Sequence, residues 1–142
     1  MKWLAQFKLL FERLCPVIYA VIALAMWVRL EGKFPESDSL ISATLSVAGV
    51  FVGFLATAKA ILISMNSPII AEIKESGYIN DLVSYIGQAI WFNLSFCVVN
   101  VAGYFDLYKL EFYGYFWIFF AMASLISFIR VTDIMLKIFK YN

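Results

Sequence analysis

Residues 39–65 read SLISATLSVAGVFVGFLATAKAILISM, and the fold class follows from this stretch. Lys59 is its one charged residue, and it contains no proline. An α-helix rises 1.5 Å per residue, so about 20 apolar residues cross the roughly 30 Å hydrocarbon core of a bilayer. The stretch is predicted to be a transmembrane helix, with Asp38 or Ser39 as its cap.

Reading toward the C-terminus, Asn66-Ser67-Pro68 ends that helix and begins another, with Ser67 as N-cap and Pro68 at the first helical position. Ile69, Ile70 and Ile73 form a short apolar face opposite Glu72 and Glu75, and Gly77 closes the turn. This pattern predicts a brief cytoplasmic interfacial helix over 67–77. A third span is expected over 81–105, unusually polar because of Gln88, Asn93 and Asn100. The loop Asp106–Glu111 leads to a fourth over 112–136, uncharged from Phe112 to Ile129 before Arg130 and Asp133.

Reading toward the N-terminus, Glu31–Asp38 is a polar loop with Gly32 and Pro35. The run before it, 16–30, is short for a span and can borrow residues from Leu9 onward. Residues 1–15 are amphipathic, with Trp3, Phe7, Leu10, Phe11 and Leu14 on one face and Lys2, Gln6 and Arg13 elsewhere, which suits the bilayer interface. Ala23-Leu24-Ala25 has the small-residue texture of a signal cleavage site, but the apolar run continues through Met26, Trp27 and Val28. A retained anchor is therefore expected. The reading is one all-α polytopic membrane domain over 1–142: four transmembrane helices, an N-terminal amphipathic helix and a short interfacial helix.

Composition agrees. The chain is 63% hydrophobic and 15% charged, against roughly 45–50% and about 25% in soluble proteins. Its 11 Lys+Arg nearly balance 10 Asp+Glu, so no base-specific recognition of nucleic acid is expected. Histidine is absent, and Cys15 and Cys97 sit in or beside apolar stretches as buried thiols. No metal, cofactor or catalytic residue is expected, and the chain reads as a non-enzyme. Lys2, Lys8, Arg13, Lys59, Lys74, Arg130, Lys137 and Lys140 fall on one side of the predicted topology, and Arg29, Lys33 and Lys109 on the other. The positive-inside rule places both termini in the cytoplasm, opposite an aromatic belt of Trp27, Tyr104, Tyr108, Tyr113, Tyr115 and Trp117.

Four constellations could carry function. Gly49, Gly53 and Thr57 form a ridge of small residues at four-residue spacing, suited to an oligomer contact, a pore wall, or packing within one bundle. Lys59, Arg130 and Asp133 lie toward the cytoplasmic ends of their spans. Snorkelling or local pairing explains them, with Lys59 sharing Asp133 if the second and fourth helices are neighbours; a cationic pore mouth or an anion site is the sharper alternative. Asn93, Cys97, Asn100 and Tyr104 share a face of the third span, on a helix that also carries Gln88. Interhelical hydrogen bonding is the simpler reading of that stripe, and a water-filled path in an oligomer the other. Phe51, Phe54 and Leu55 are the candidate hydrophobic gate.

The stretch Gly53-Phe54-Leu55-Ala56-Thr57-Ala58 through Ser67-Pro68, followed by Ile73-Lys74-Glu75-Ser76-Gly77-Tyr78, carries a resemblance. Over about residues 45–95 the chain resembles small four-helix bacterial membrane proteins of anti-phage operons, the membrane effector of Hailong-type systems among them. The resemblance implies an oligomeric channel in the bacterial inner membrane, its opening controlled by a nucleotide-derived signal from a partner enzyme. The leading expectation is a homo-oligomeric ion-conducting membrane effector whose 67–77 helix couples signal to gate. A non-conducting membrane adaptor is the alternative, and a small transporter is a second. The halves 1–66 and 67–142 show no mirrored pattern that would favour the transporter.

Overall fold

The computed structural model describes residues 2–32, 34–35, 37–64 and 78–140, with side chains described over 13–32, 34–35, 37–64 and 81–137. The helix expected over 67–77 lies outside the described residues, as do the side chains of the expected amphipathic face from Trp3 to Phe11. Among the described residues the chain is helical throughout: α1 (Lys2–Arg29), α2 (Asp38–Ser64), α3 (Tyr78–Gly103), a 3-10 turn (Leu107–Lys109) and α4 (Tyr113–Lys140). Three segments are long and apolar enough to cross a membrane, Asp38–Ser64, Asp81–Gly103 and Tyr113–Lys137. The three longer expected spans thus fall on helices within a few residues of their expected bounds.

The N-terminal part differs from expectation. Residues 1–15 and 16–30 were expected as an amphipathic helix followed by a span, yet α1 runs through from Lys2 to Arg29 with Pro16 inside it. Proline removes one backbone donor and crowds the preceding turn. Apolar helices tolerate this where neighbours cover the freed carbonyl, and Pro16 is fully buried. At its other end α1 closes in a Schellman motif, in which Gly32 N–H donates to Trp27 O and Glu31 N–H to Val28 O. Glu31 takes the left-handed position at φ 49°, and a Cβ on Gly32 would lie 2.6 Å from the Trp27 ring. Glycine therefore sits where the indole leaves no room.

The cap of α2 is Ser37, one residue before the expected pair. Its Oγ and carbonyl accept from Leu40 N–H, and its carbonyl also accepts from Ile41 N–H. Asp38 then lies in the first turn, where its charge suits the helix dipole. The packing order is α2–α3–α4–α1, with α2 and α4 touching only lightly. The seam of α2 is a heptad, Ile41, Ala48, Leu55 and Leu62, all buried. Its lower half joins Leu82, Tyr85, Ile86 and Ala89 of α3 and Val131 and Met135 of α4 in one core. Most of the remaining helix surface is large and apolar, as lipid-facing helices require.

Candidate functional site

Polar side chains inside the bundle form two stations along α3. Asn100 is fully buried, and its Oδ1 accepts from Thr44 Oγ1 of α2 at 2.6 Å and from Trp117 Nε1 of α4 at 3.1 Å. Its Nδ2 donates to Phe96 O of its own helix at 2.8 Å. Two turns away, buried Asn93 accepts from Ser124 Oγ of α4 at 2.6 Å and donates to Ala89 O. Ser127 Oγ donates to Ser124 O, and Tyr113 hydroxyl donates to Val99 O at 3.0 Å. An amide in an apolar interior must find partners or pay its desolvation cost, and each of these finds them on a neighbouring helix. The two asparagines of the stripe read from sequence therefore face helices of the same chain, whereas Tyr104 is exposed and Cys97 half-buried. Gln88 sits apart from it and donates from Nε2 to Arg13 O of α1 at 2.9 Å.

Thr44 and Ser124 are partners the sequence did not single out, and Trp117 stood out only as part of the aromatic belt. Thr44 lies one turn beyond Ile41 on the heptad seam, a spacing that could have marked it. Trp117 and Ser124, seven residues apart, lie two helical turns from each other on one face of α4.

Charge gathers at the end of the bundle where α2 ends and α3 begins. Arg13 and Asp81 approach to 3.6 Å, joining α1 to α3. Lys59 is half-buried, and its Nζ lies 3.7 Å from where a Gly87 Cβ would stand, so it reaches across α3. Arg130 lies over the Tyr85 ring at 4.4 Å, a cation–π contact. Asp133 pairs with Lys137 one turn on at 2.6 Å. Because α2 packs mainly on α3, Lys59 and Asp133 are not brought together.

The candidate gate residues separate. Leu55 is fully buried in the core, and Phe51 stacks on Phe128 at 3.8 Å between ring centres. Phe54 meets Phe128 edge-on at 5.7 Å and stays half-exposed. The two phenylalanines thus supply much of the slight contact between α2 and α4.

The expected ridge lies outside. Gly49, Gly53 and Thr57 are all exposed, and a Cβ on either glycine would meet nothing within 4 Å. The structure also lengthens it: Ser42, Ser46, Gly49, Gly53, Ala56 and Ala60 repeat at spacings of four and three, and every one is exposed. The hydroxyl groups of Ser46 and Thr57 donate to Ser42 O and Gly53 O on their own helix, so neither demands water. Next to this stripe, Val47, Val50, Phe54 and Ile61 present ordinary apolar bulk.

At the opposite end, Asp106 turns the chain at φ 61° and pairs with Lys109 at 3.0 Å. The hydrogen bond and charge of Lys109 hold the Asp106 carboxyl below the usual carboxylate range. Both groups are exposed, so the pair adds little to stability. No family model matches the chain, and neither do any of the curated proteins or solved structures. Over the described residues the chain is all-helical, with three helices long and apolar enough to span a membrane, its two buried asparagines tied inside and one helix face left small.

Proposed function

We propose that the chain is the subunit of a homo-oligomeric, ion-conducting membrane protein whose copies meet along α2. The observation that carries this reading is the stripe Ser42, Ser46, Gly49, Gly53, Ala56 and Ala60, exposed along almost the whole of α2. Small residues at helical spacing let a second backbone approach closely, which supplies the van der Waals contact that drives helix association in lipid. A short chain makes a pore most simply by repeating around an axis.

Of the two candidate linings, α2 is the better supported, because Asn93 and Asn100 are occupied by Ser124, Thr44 and Trp117. Phe54 is the gate candidate still on the α2 surface. Lys59 and Arg130 would set the charge near the cytoplasmic mouth. The full proposal has α1 as a fourth span and both termini in the cytoplasm of a bacterium. As in the effectors that residues 45–95 resemble, a signal from a partner enzyme would gate the pore.

Purified protein in liposomes tests this through ion flux, with stoichiometry from native mass spectrometry. A symmetric oligomer whose flux is abolished by Gly53→Ile supports the proposal. A monomer that passes no ions refutes it and leaves the non-conducting adaptor.

A further inference from the structure

Lys59 is the one charged residue between Ser39 and Ser64, inside a segment able to cross the membrane. Its Nζ lies 3.7 Å from where a Gly87 Cβ would stand, so the ammonium group rests over bare backbone of α3. Gly87 is six residues into the α3 span, about 9 Å from its Asp81 end at 1.5 Å per residue. Lys59 makes no hydrogen bond or ion pair with any described residue. Two carboxylates of this end are engaged elsewhere, Asp81 with Arg13 at 3.6 Å and Asp133 with Lys137 at 2.6 Å. A cation at this depth without a counter-charge is costly, and such residues mark sites that an anion completes.

Two further donors flank Gly87 on the same face of α3. Ser84 stands three residues before it and Trp91 four after, the spacings of surface neighbours on a helix. Both are exposed, and neither the hydroxyl nor the indole N–H has a partner among the described residues. Trp91 lies ten residues into the span, close to its middle, whereas tryptophan ordinarily collects at head-group level where its N–H is answered. Long helical side chains lean toward the N-terminus of their helix, which carries the indole back toward Gly87.

We propose that Lys59, Ser84 and Trp91 bind the phosphate of one anionic phospholipid, seated over Gly87 in the leaflet at the end where α2 ends and α3 begins. The three side chains bring donors and no carboxylate, so the ammonium group of a zwitterionic head would find no counter-charge among them. Basic sites between membrane helices receive anionic head groups in this way. Beyond Trp91 the same side of α3 continues as exposed Leu94 and Val98, along which acyl chains run. The site needs only the packing of α2 on α3 within one chain, and it holds whether or not copies assemble.

The test uses the full chain in nanodiscs of equal phosphatidylglycerol and phosphatidylcholine, released into native mass spectrometry. One phosphatidylglycerol per subunit is expected to stay bound in preference to phosphatidylcholine. Lys59→Gln lowers that preference about tenfold, the worth of one charged hydrogen bond, and Lys59→Arg keeps it. Trp91→Phe, which removes the N–H and keeps a ring, lowers it about threefold. Lys137→Gln, which removes an exposed cation of the same end, leaves it unchanged. Equal retention of the two lipids by the unaltered chain overturns the proposal, as does an unchanged preference in Lys59→Gln or Trp91→Phe. A loss in Lys137→Gln as large as in Lys59→Gln overturns it too, because the attraction would then be diffuse. Trp91→Phe decides alone if Lys59→Gln lacks normal helicity. Inorganic phosphate added to the protein in neutral detergent tests the other source of the same group. Displacement of the lipid by millimolar phosphate would assign the site to a soluble anion and overturn the lipid, and undiminished retention supports it. Lipid retention is read without ion flux, so this site and the pore stand or fall separately.

Discussion

Replacing Asn100 with alanine tests the division between an inner polar network and an outer contact face most directly. The amide joins three helices, accepting from Thr44 of α2 and Trp117 of α4 while sitting on α3. The two donors lose unequally. Thr44 has other carbonyls within reach, Leu40 O at 2.8 Å and Ile41 O at 3.1 Å, so its single proton can turn back onto its own helix. Its loss is one interhelical bond, about 1 kcal/mol in a membrane. The Trp117 indole has no such second acceptor among the described residues, and a stranded buried donor costs about 1–3 kcal/mol. Asn100→Ala should therefore cost about 2–4 kcal/mol.

Asn93→Ala is the internal control. It removes a single interhelical bond, and Ser124 can turn its hydroxyl back to a carbonyl of its own helix, so about 1 kcal/mol is expected. Equilibrium unfolding in mixed micelles, with increasing denaturing detergent and circular dichroism as the readout, measures both. A double-mutant cycle of Asn100→Ala with Trp117→Phe should return most of the excess as coupling energy. Equal costs for the two alanine variants, or no coupling to Trp117, would refute the reasoning. So would an Asn100→Ala protein of unchanged stability and altered conductance, since the asparagine would then face water.

Gly103 ends α3 where a Cβ would stand 2.5 Å from the Tyr113 hydroxyl and 2.8 Å from Ile41 Cδ1. Gly103→Ala should cost about 1–3 kcal/mol in the same unfolding assay, and Tyr113→Phe in that background should recover part of it. The Phe51–Phe128 stack should show a coupling of about 0.5–1.5 kcal/mol in a double-mutant cycle, since few other contacts hold α2 to α4. For Asp106 the folded-state pKa is lowered, so its small contribution is present above the ordinary carboxylate value and is lost as pH falls through the lowered one. Lys109→Gln should return the Asp106 titration toward the ordinary value, as read by carboxyl-carbon NMR.

The spans were legible because bilayer thickness sets a length, and 39–65, 81–105 and 112–136 each met it with few charges. Bounds and caps were less so. Ser37, Asp38 and Ser39 are all capping residues, and only backbone geometry selects Ser37. The continuity of α1 was obscured by Pro16, which by local rules starts a helix more readily than it continues one. The asparagines were visible as a polar face, but their partners were not. Thr44 and Ser124 are frequent in apolar helices, and a Trp117 hydrogen bond needs a tertiary arrangement. Helix adjacency was likewise unreadable: Lys59 could share Asp133 only if α2 and α4 were neighbours, and those helices barely touch.

The sharpest contrast lies within the chain itself. Where α3 faces outward it shows Trp91, Leu94, Val98 and Val101, and α4 shows Phe116, Leu125, Ile129 and Leu136. Those are the side chains lipid contact favours, and nothing in lipid penalises their size. On α2 the same environment meets six small residues in register, about 120° round the helix from the Ile41–Leu62 heptad. The helix thus has two seams, and the structure fills only one. Bulk on the second would cost an isolated subunit nothing, because the space beyond Gly49 and Gly53 is open. No helix of the described chain approaches this face, and the proposed assembly would bring one there. A second copy of α2 has the matching surface by identity, and for that reason the oligomer is argued from this face and not from the asparagines.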